Sequence, residues 1–152
     1  MKLNNDSVSF SNGEIAWELR RYPIYSDESG ELGVFEFAKD FDFNAKRIFF
    51  LRNVSSGQGR GFHAHKNLKQ LVVCLKGSFL MKLDNGVTVE EFQMQADNTV
   101  LYLDGKVWRE MRNFSRDAVM LVLCDREYRF DEVVRDYQRF TENLKEDNNV
   151  GI

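Results

Sequence analysis

Hydrophobic side chains recur at every second position along much of this chain, which is the pattern of β-strands with one buried face. After Gly77, the apolar residues Phe79, Met81 and Leu83 follow this spacing. Similar strand-like stretches cover residues 47–52, 68–75, 99–103 and 118–124, separated by turn-forming Asp, Asn and Gly residues. Many short strands divided by turns predict an all-β sandwich or barrel.

Two further local signals refine this prediction. The pair Asn85-Gly86 predicts a type I′ hairpin turn, after which a strand over residues 87–92 folds back on its predecessor. From Phe130 onwards apolar residues at helical spacing predict a short C-terminal helix packed on the barrel, namely Val133, Val134, Tyr137, Phe140 and Leu144. Residues 145–152 are predicted to be frayed. Because no repeat, linker or low-complexity stretch interrupts the pattern, residues 1–152 are predicted to form a single domain.

Composition limits the kinds of partner. The chain has 152 residues, enough to bury a substantial core. Its net charge is −3, from 21 basic and 24 acidic residues, so no excess positive charge attracts nucleic acid or a membrane surface. The longest apolar runs, such as residues 71–75, are too short to span a membrane, and the N-terminus lacks the apolar segment of a signal peptide. Cys74 and Cys124 lie in apolar runs, where buried, reduced thiols are expected. These features predict a cytoplasmic protein.

The candidate chemistry is concentrated at the only two histidines, His63 and His65. They stand in the frame G-x5-H-x-H-x4-Q-x6-G, which begins at Gly57 and includes Gln70. On a strand, residues two apart point to the same face, so the two imidazoles are predicted to project side by side. The frame resembles the first signature of the cupins, small β-barrels that usually carry Glu where this chain has Gln70. This resemblance implies a double-stranded β-helix.

A metal site is not supported by the remaining positions of the motifs. A metal-binding cupin adds a carboxylate five residues after the second histidine and a further histidine from a second motif. Here these positions hold Gln70 and Trp108, with Arg109 beside the latter. A neutral amide is a poor ligand for a transition metal, while Trp and Arg have no lone pair to give. We therefore predict no metal and no cofactor, and two free imidazoles that move protons near neutral pH.

A longer resemblance suggests the reaction. The stretches K-R-I-F-F at residues 46–50 and R-G-F-H-A-H-K at residues 60–66, with weaker matches at residues 27–32, 107–111 and 135–137, resemble the nucleotide-sugar 3,4-ketoisomerases of deoxysugar biosynthesis. The resemblance covers about residues 25–140. It implies a metal-free homodimer that converts dTDP-4-keto-6-deoxy-glucose into a 3-keto isomer, which an aminotransferase then uses. The family often has Arg or another large residue where Ser29 stands here.

The expected roles follow from what this isomerisation needs: a base near neutrality, a proton carrier between oxygens, and donors for the developing enediolate. We assign His65 as the base at carbon and His63 as the proton carrier. Each imidazole opposes protonation of the other, which keeps at least one neutral. The Gln70 amide is a candidate to bond a histidine or a sugar oxygen, although a purely structural role fits equally well. The resemblance places Ser29 and Arg109 at the sugar.

We expect guanidinium groups to bind the diphosphate of the substrate. Arg60 has the opposite strand parity to the histidines, so it is expected either to face outward or to reach a site across a dimer seam. Arg47 and Arg52 have opposite parities on one strand, so at most one faces the site. A solvated surface charge is the simpler interpretation of each of these three. Phe49 and Phe50 are expected in the core.

Three alternatives remain. A metal-free nucleotide-sugar 3,5-epimerase usually pairs a histidine with an aspartate and a tyrosine, whereas the second basic group here is a histidine. A non-catalytic sugar-binding cupin has no need of two adjacent titratable bases. A metal-dependent dioxygenase is disfavoured by Gln70 and Trp108. Finally, the strand over residues 71–75 is apolar on both faces, with Leu71, Val73 and Leu75 opposite Val72 and Cys74. We expect a second subunit to cover the face that does not line the barrel, unless the C-terminal helix covers that face alone.

Overall fold

The computed structural model describes residues 7–37, 42–55 and 57–150. In these ranges the chain is mostly antiparallel β-structure followed by one helix. The strands are β1 (Ser7–Ser9), β2 (Ile15–Arg21), β3 (Ile24–Asp27), β4 (Gly30–Gly33), β5 (Arg47–Arg52), β6 (Arg60–His65), β7 (Gln70–Lys76), β8 (Ser78–Asp84), β9 (Val89–Gln95), β10 (Thr99–Leu103), β11 (Trp108–Arg112), β12 (Val119–Cys124) and β13 (Val133–Val134), and the helix is α1 (Tyr137–Val150).

Two sheets face each other and enclose the core. The larger has the order β1-β2-β10-β7-β12-β5 and the smaller the order β13-β6-β11-β8-β9. Fully buried side chains from both sheets meet between them, among them Trp17, Leu101 and Leu103 from the larger sheet and Phe79, Met81 and Leu83 from the smaller. The predicted all-β, cupin-type double-stranded β-helix with a C-terminal helix is confirmed.

The strands predicted from the period-2 pattern are present with small changes at their ends. Residues 47–52 and 99–103 are strands with the predicted bounds, while the other two begin one or two residues later, at Val119 and Gln70. Gln70 therefore opens β7, opposite Leu103 of β10 and Cys124 of β12. This register puts the Gln70 side chain on the inner face of the larger sheet.

The predicted type I′ turn at Asn85-Gly86 is wrong. Asp84 pairs with Val89, so four residues connect β8 and β9 instead of two. A type I′ turn requires positive φ at both central residues, and of this pair only Gly86 has it, at 89°. The Asn85 side chain shapes the loop instead, since its Oδ1 accepts hydrogen bonds from the backbone N–H groups of Val87 (3.0 Å) and Thr88 (2.7 Å).

The C-terminal helix starts later and ends later than predicted. Phe130–Glu132 form a single 3-10 turn, and Val133 and Val134 pair with His65 and Ala64 as strand β13. The helix begins after Asp136, whose carboxylate accepts a hydrogen bond from the backbone N–H of Arg139 at 2.8 Å, as an N-cap does. It continues to Val150, so the prediction of fraying from residue 145 is wrong up to that point. No helix in the described ranges is long and apolar enough to cross a membrane.

The outer face of the larger sheet is covered partly by the chain itself. Leu71 and Val73 are fully buried, in a cluster with residues contributed by the segment between β2 and β5, namely Tyr22, Ile24, Phe35, Phe43 and Ala45. A second subunit is therefore not needed to cover these two residues, contrary to the argument from sequence. The third residue of that face, Leu75, is 52% exposed.

Candidate active site

A cavity of about 380 Å³ opens between the two sheets. Apolar residues of both sheets form much of its wall, and the charged side chains come from the smaller sheet and the segment after β13. The lining residues are Phe49, Leu51, Gly59, Arg60, Gly61, Phe62, His63, Gln70, Val72, Met81, Leu103, Arg109, Met111, Met120, Val122 and Arg135. One histidine and three arginines in a largely apolar cavity suit an anionic ligand whose reacting part is shielded from water.

The two histidines form a hydrogen-bonded pair. His63 and His65 lie on the same face of β6, as the H-x-H spacing predicted, and their Nε2 atoms are 3.1 Å apart. The rings are nearly perpendicular, with an interplanar angle of 88°. His63 lines the cavity, whereas His65 is 8% exposed and is not among the lining residues. A proton taken up by one imidazole can therefore pass directly to the other.

Both imidazoles are held in the neutral form. Burial, followed by the charge of Arg109, lowers the pKa of His63 to about 4, although a hydrogen bond with the Gly61 backbone opposes the change. Burial and Arg109 likewise lower the pKa of His65 to about 2, with His63 the third cause. The expected mutual repulsion of the two imidazoles is thus present but secondary. At neutral pH both rings are therefore neutral, each with one N–H group and one basic nitrogen.

Arg109 lies opposite His63 on the neighbouring strand and is 2% exposed. Its Nη2 donates to the backbone carbonyls of Asp104, Gly105 and Val107 at 2.9–3.1 Å, and its Nη1 donates to Oε1 of Gln70 at 2.5 Å. The Nε–H has no hydrogen-bond partner among the described residues. The guanidinium is therefore fixed in place by neutral oxygens.

A β-bulge brings Arg60 into the same cavity. The register between β6 and β11 slips between Arg109 and Glu110, and the extra residue, Phe62, has a φ of 56° after Gly61 at 87°. The bulge reverses the side-chain alternation, so Arg60 lines the cavity together with His63. The expectation that Arg60 points away from the histidines within its own chain is wrong, because strand parity holds only in the absence of a bulge.

Arg135 also lines the cavity, although the sequence analysis did not assign it to the site. It follows β13, and its guanidinium lies 5.0 Å from the centroid of the Phe130 ring. Its charge contributes to the lowered pKa of both histidines. The sequence did contain an indication of this role, since residues 135–137 formed one of the weaker matches to the ketoisomerases. Placing this stretch within a helix concealed that Arg135 reaches the cavity.

Comparison with known proteins identifies the family of this chain. The FdtA family model (WxcM-like, C-terminal) matches residues 16–145. The chain belongs to the FdtA family. A TDP-4-oxo-6-deoxy-α-D-glucose-3,4-oxoisomerase of Aneurinibacillus thermoaerophilus is 38% identical over 114 residues, which cover 75% of this chain and 82% of that protein.

Solved structures of 3,4-ketoisomerases have the same fold as this FdtA-family chain. One from Helicobacter canadensis is 32% identical with a TM-score of 0.81, covering 85% of this chain and 97% of the other. Another is a histidine-to-asparagine mutant of QdtA from Thermoanaerobacterium thermosaccharolyticum in complex with TDP-4-keto-6-deoxyglucose. It is 28% identical with a TM-score of 0.83, and the match covers 86% of this chain and 95% of that one. The predicted family and enzyme class, a sugar-nucleotide 3,4-ketoisomerase, are confirmed.

In this family member Arg47 and Arg52 point to opposite faces of β5, as strand parity predicted. Arg47 shares the face of β5 that carries the cavity-lining Phe49, and its guanidinium lies 5.5 Å from the ring centroids of Phe49 and Tyr128. Its charge contributes to the lowered pKa of His65, but it does not itself line the cavity. Arg52 and Phe50 face outward, and Phe50 is 55% exposed, so the expectation that Phe50 lies in the core is wrong.

Ser29 does not line the cavity of its own chain. It occupies the tip of the β3–β4 hairpin, where its backbone N–H donates to Oδ1 of Asp27 at 2.7 Å and its hydroxyl contacts the same atom. It is exposed and is not among the residues that line the cavity. The structure thus brings together Arg60, His63, Gln70 and Arg109, but not Ser29.

The position that carries a metal ligand in other cupins points away from the cavity. Trp108 packs against Ala64, Val134 and Phe140 on the outer side of the smaller sheet, and its ring centroid is 5.3 Å from that of Tyr137. Within the described ranges, no group of three or more His, Cys, Asp or Glu side chains could hold a metal ion. Arg109, one residue further, faces inward in its place.

Proposed function

We propose that this protein converts dTDP-4-keto-6-deoxy-glucose into the 3-keto-6-deoxyhexose, in the biosynthesis of 3-amino-3,6-dideoxy sugars. The observation that carries the proposal is the neutral pair His63 and His65, with Nε2 atoms 3.1 Å apart, at a cavity that also contains the buried charge of Arg109. The named relatives act on this class of substrate, which supports the choice of nucleotide and sugar. No cofactor takes part in the proposed reaction.

The reaction is a pair of proton transfers with no net change in atoms or electrons. An imidazole nitrogen takes the proton from C3 while O4 gains a proton, which gives the C3–C4 enediol. A proton then returns to carbon at C4 while O3 loses its proton, and the ketone is left at C3. The buried guanidinium of Arg109 stabilises negative charge that develops on the sugar oxygens, since charge interactions are strong where water is excluded.

The cavity favours catalytic roles for the two histidines that are the reverse of those expected from sequence. Only His63 lines the cavity, so we assign it as the base at carbon. His65 lies behind it and accepts or returns the proton through the Nε2–Nε2 hydrogen bond. The charged imidazolium is disfavoured in the free protein, and the negative charge of the bound diphosphate and enediolate reduces this cost during turnover.

The diphosphate is assigned to the arginines at the cavity. Arg60 and Arg135 line it and are exposed enough to meet a ligand from solvent, and Arg47 lies on the adjoining face of β5. Planar guanidinium groups bind phosphate oxygens in pairs. Gln70 is not assigned as a sugar ligand, because both ends of its amide are already engaged with protein atoms.

A homodimer completes the proposal. On the outer face of the larger sheet, Ile48 and Phe50 of β5 and Leu75 of β7 are 62%, 55% and 52% exposed, which is unusual for apolar residues on one face of a monomer. We assign this strip to the contact with a second copy. The exposed β3–β4 hairpin is then available to carry Ser29 to the sugar in the partner's cavity. The two free, buried cysteines, Cys74 and Cys124, fit a reducing compartment, and we place the protein in the cytoplasm.

The test is incubation with dTDP-4-keto-6-deoxy-glucose in heavy water, followed by NMR of the sugar ring. We expect deuterium at C3 and accumulation of a 3-keto product. Exchange at C5 without ketone migration would instead identify a 3,5-epimerase. Binding with no exchange at any carbon would identify a non-catalytic sugar-binding cupin. Either result would overturn the proposal.

A further inference from the structure

The most unusual buried group in the molecule is the side chain of Arg109. A fully buried guanidinium is normally paired with a carboxylate. Its described hydrogen bonds instead end on three backbone carbonyls and on the amide oxygen of Gln70. Asp104 is the carboxylate that acts on the pKa of Arg109, but it bonds Arg109 only through its backbone, and its Oδ1 accepts from the N–H of Lys106 at 2.9 Å.

The side chain of Gln70 is fixed at both ends. Its Oε1 accepts from Nη1 of Arg109 at 2.5 Å, and its Nε2 donates to Sγ of Cys124 at 3.5 Å. Cys124 of β12 lies directly opposite Gln70, and Gln70 is 5% exposed. Burial raises the pKa of the Cys124 thiol, which keeps it neutral. The series Cys124–Gln70–Arg109 is therefore a chain of hydrogen bonds with one charge, at its inner end.

We propose that Gln70 is a positioning residue that holds the Arg109 guanidinium beside the histidines without neutralising it. A carboxylate at this position, which other cupins use as a metal ligand, would form an ion pair with Arg109 and cancel its field. The amide supplies the same hydrogen bond with no charge. The inference rests on the proposed isomerisation, in which the uncompensated guanidinium stabilises the enediolate and keeps His63 and His65 in the neutral form.

Arg109 is the main charge that acts on both histidines. After burial, it is the largest cause of the lowered pKa of each. Two other cations contribute, Arg135 from the segment after β13 and Arg47 from β5, and the latter acts on His65 alone. A new negative charge at position 70 would thus oppose the largest of three positive contributions.

The test compares Gln70→Glu, which adds a charge in the same shape, with Gln70→Met, which removes the hydrogen bond at similar size. Gln93→Glu adds the same charge at an exposed position of β9 and is the matched control. The chain has only two histidines, so their ring protons can be followed individually by NMR during a pH titration of the ligand-free protein. This readout does not depend on turnover, so it separates failure of the inference from failure of the proposed function.

In Gln70→Glu we expect the titration midpoint of His63 to rise by about one pH unit or more, as for a group that gains a nearby opposite charge. The acid limb of kcat/KM is expected to move upward with it. In Gln70→Met the midpoints stay low while turnover falls by about tenfold or more, because Nη1 of Arg109 loses its partner and only Nη2 stays anchored, on the backbone carbonyls. Gln93→Glu changes neither. Unchanged histidine titration in Gln70→Glu, or native turnover in Gln70→Met, would overturn the inference.

Discussion

At the scale of single residues, the chemistry depends on groups whose charge is set by burial. His63 and His65 are neutral because the barrel excludes water and Arg109 lies beside them. Since they share one hydrogen bond, they are expected to work as a unit. Replacing either by Asn preserves polarity and similar size but removes the titratable nitrogen.

We expect His63→Asn and His65→Asn each to lower turnover by at least ~10²-fold, the usual contribution of a positioned acid or base. The double variant should be little worse than the worse single one, because residues that act together lose their effect together. Initial rates on the 4-keto sugar measure this, and thermal melts serve as the control for folding. Near-native turnover in both single variants would make the pair structural.

The same two residues make folding sensitive to acid. Their pKa values lie near 4 and 2 in the folded protein, against 6.5 in the unfolded chain. The unfolded chain therefore binds more protons below about pH 6.5, and the free energy of unfolding falls as the pH decreases from there. Denaturant titrations at pH 7 and pH 5 should show a smaller loss of stability in the double Asn variant than in the native chain. Equal losses would mean that neither histidine is buried in neutral form.

Much of the site could be predicted residue by residue, but not the positions that depend on a local irregularity. The H-x-H spacing identified His63 and His65, and the second-motif position identified Arg109. The inward direction of the Arg60 side chain could not be predicted from the sequence. A bulge at Gly61 and Phe62 changes the side-chain alternation, and the bulge is visible only in the pairing of β6 with β11. Ser29 remains a prediction, since its place at the sugar came from the resemblance alone.

At the scale of elements, the period of the apolar residues predicted the sheet well because each strand buries one face. It failed where one pattern fits two structures. Val133 and Val134 continue the helical spacing of Tyr137 and Phe140, yet they pair with Ala64 and His65 as a two-residue strand. That pairing involves residues about seventy positions earlier in the chain, and no local pattern reveals it. It also places Arg135 at the cavity.

The bulge in β6 is the element on which the site depends most. Gly61 has a φ of 87°, and a Cβ there would lie 2.8 Å from Cε of Met111 and 2.9 Å from the carbonyl oxygen of Arg109. Gly57 has a similar φ of 80° with nothing within 4 Å of its Cβ position, so it is a matched control for backbone strain alone.

We expect Gly61→Ala to lose roughly 1–3 kcal/mol more stability than Gly57→Ala, the usual cost of overpacking a tight contact. Turnover should fall by more than about tenfold in Gly61→Ala only, because His63 and Arg60 are displaced from productive geometry. Denaturant melts and initial rates of the two variants measure these effects. If both variants behave alike, the close contact at Gly61 contributes nothing beyond its φ.

At the scale of the whole molecule, the cavity and the exposed strip on β5 and β7 belong to different faces. The cavity is built from the inner faces of the sheets, while Ile48, Phe50 and Leu75 lie on the outer face. Part of the outer face is covered by Tyr22, Ile24, Phe35, Phe43 and Ala45, which sequence periodicity did not reveal, because these apolar residues are irregularly spaced along the chain.

We expect light scattering to give the mass of two chains at micromolar concentration. Phe50→Glu should shift the equilibrium towards the monomer, because it buries a charge in an apolar contact. Val87→Glu is the matched control, since Val87 is 89% exposed on the β8–β9 loop, away from the strip. A native chain that scatters as a monomer, or two variants that dissociate equally, would rule out this strip as the interface.

The last prediction concerns the face of the sugar on which C4 is reprotonated, which decides between a galacto- and a gluco-configured 3-keto product. Because His63 and His65 move the protons in either case, the orientation of the hexose must come from other side chains. Arg109 is fixed by four hydrogen bonds with its Nε–H unpartnered among the described residues, and Ser29 is exposed on a hairpin that a dimer could place at the partner's cavity.

We expect Ser29→Arg and Ser29→Tyr to change the ratio of C4 epimers more than the rate of deuterium exchange at C3. Arg109→His should change the ratio as well, but it should also slow the exchange, because the guanidinium stabilises the enediolate. A long or bulky group at position 29 fills space that Ser29 leaves open, and loss of the guanidinium removes the donors that orient the sugar oxygens. The coupling between the C4 and C5 protons of the product measures the ratio. A changed ratio in the Arg109 variant alone would exclude the hairpin from the site, and an unchanged ratio in every variant would mean that other residues hold the hexose.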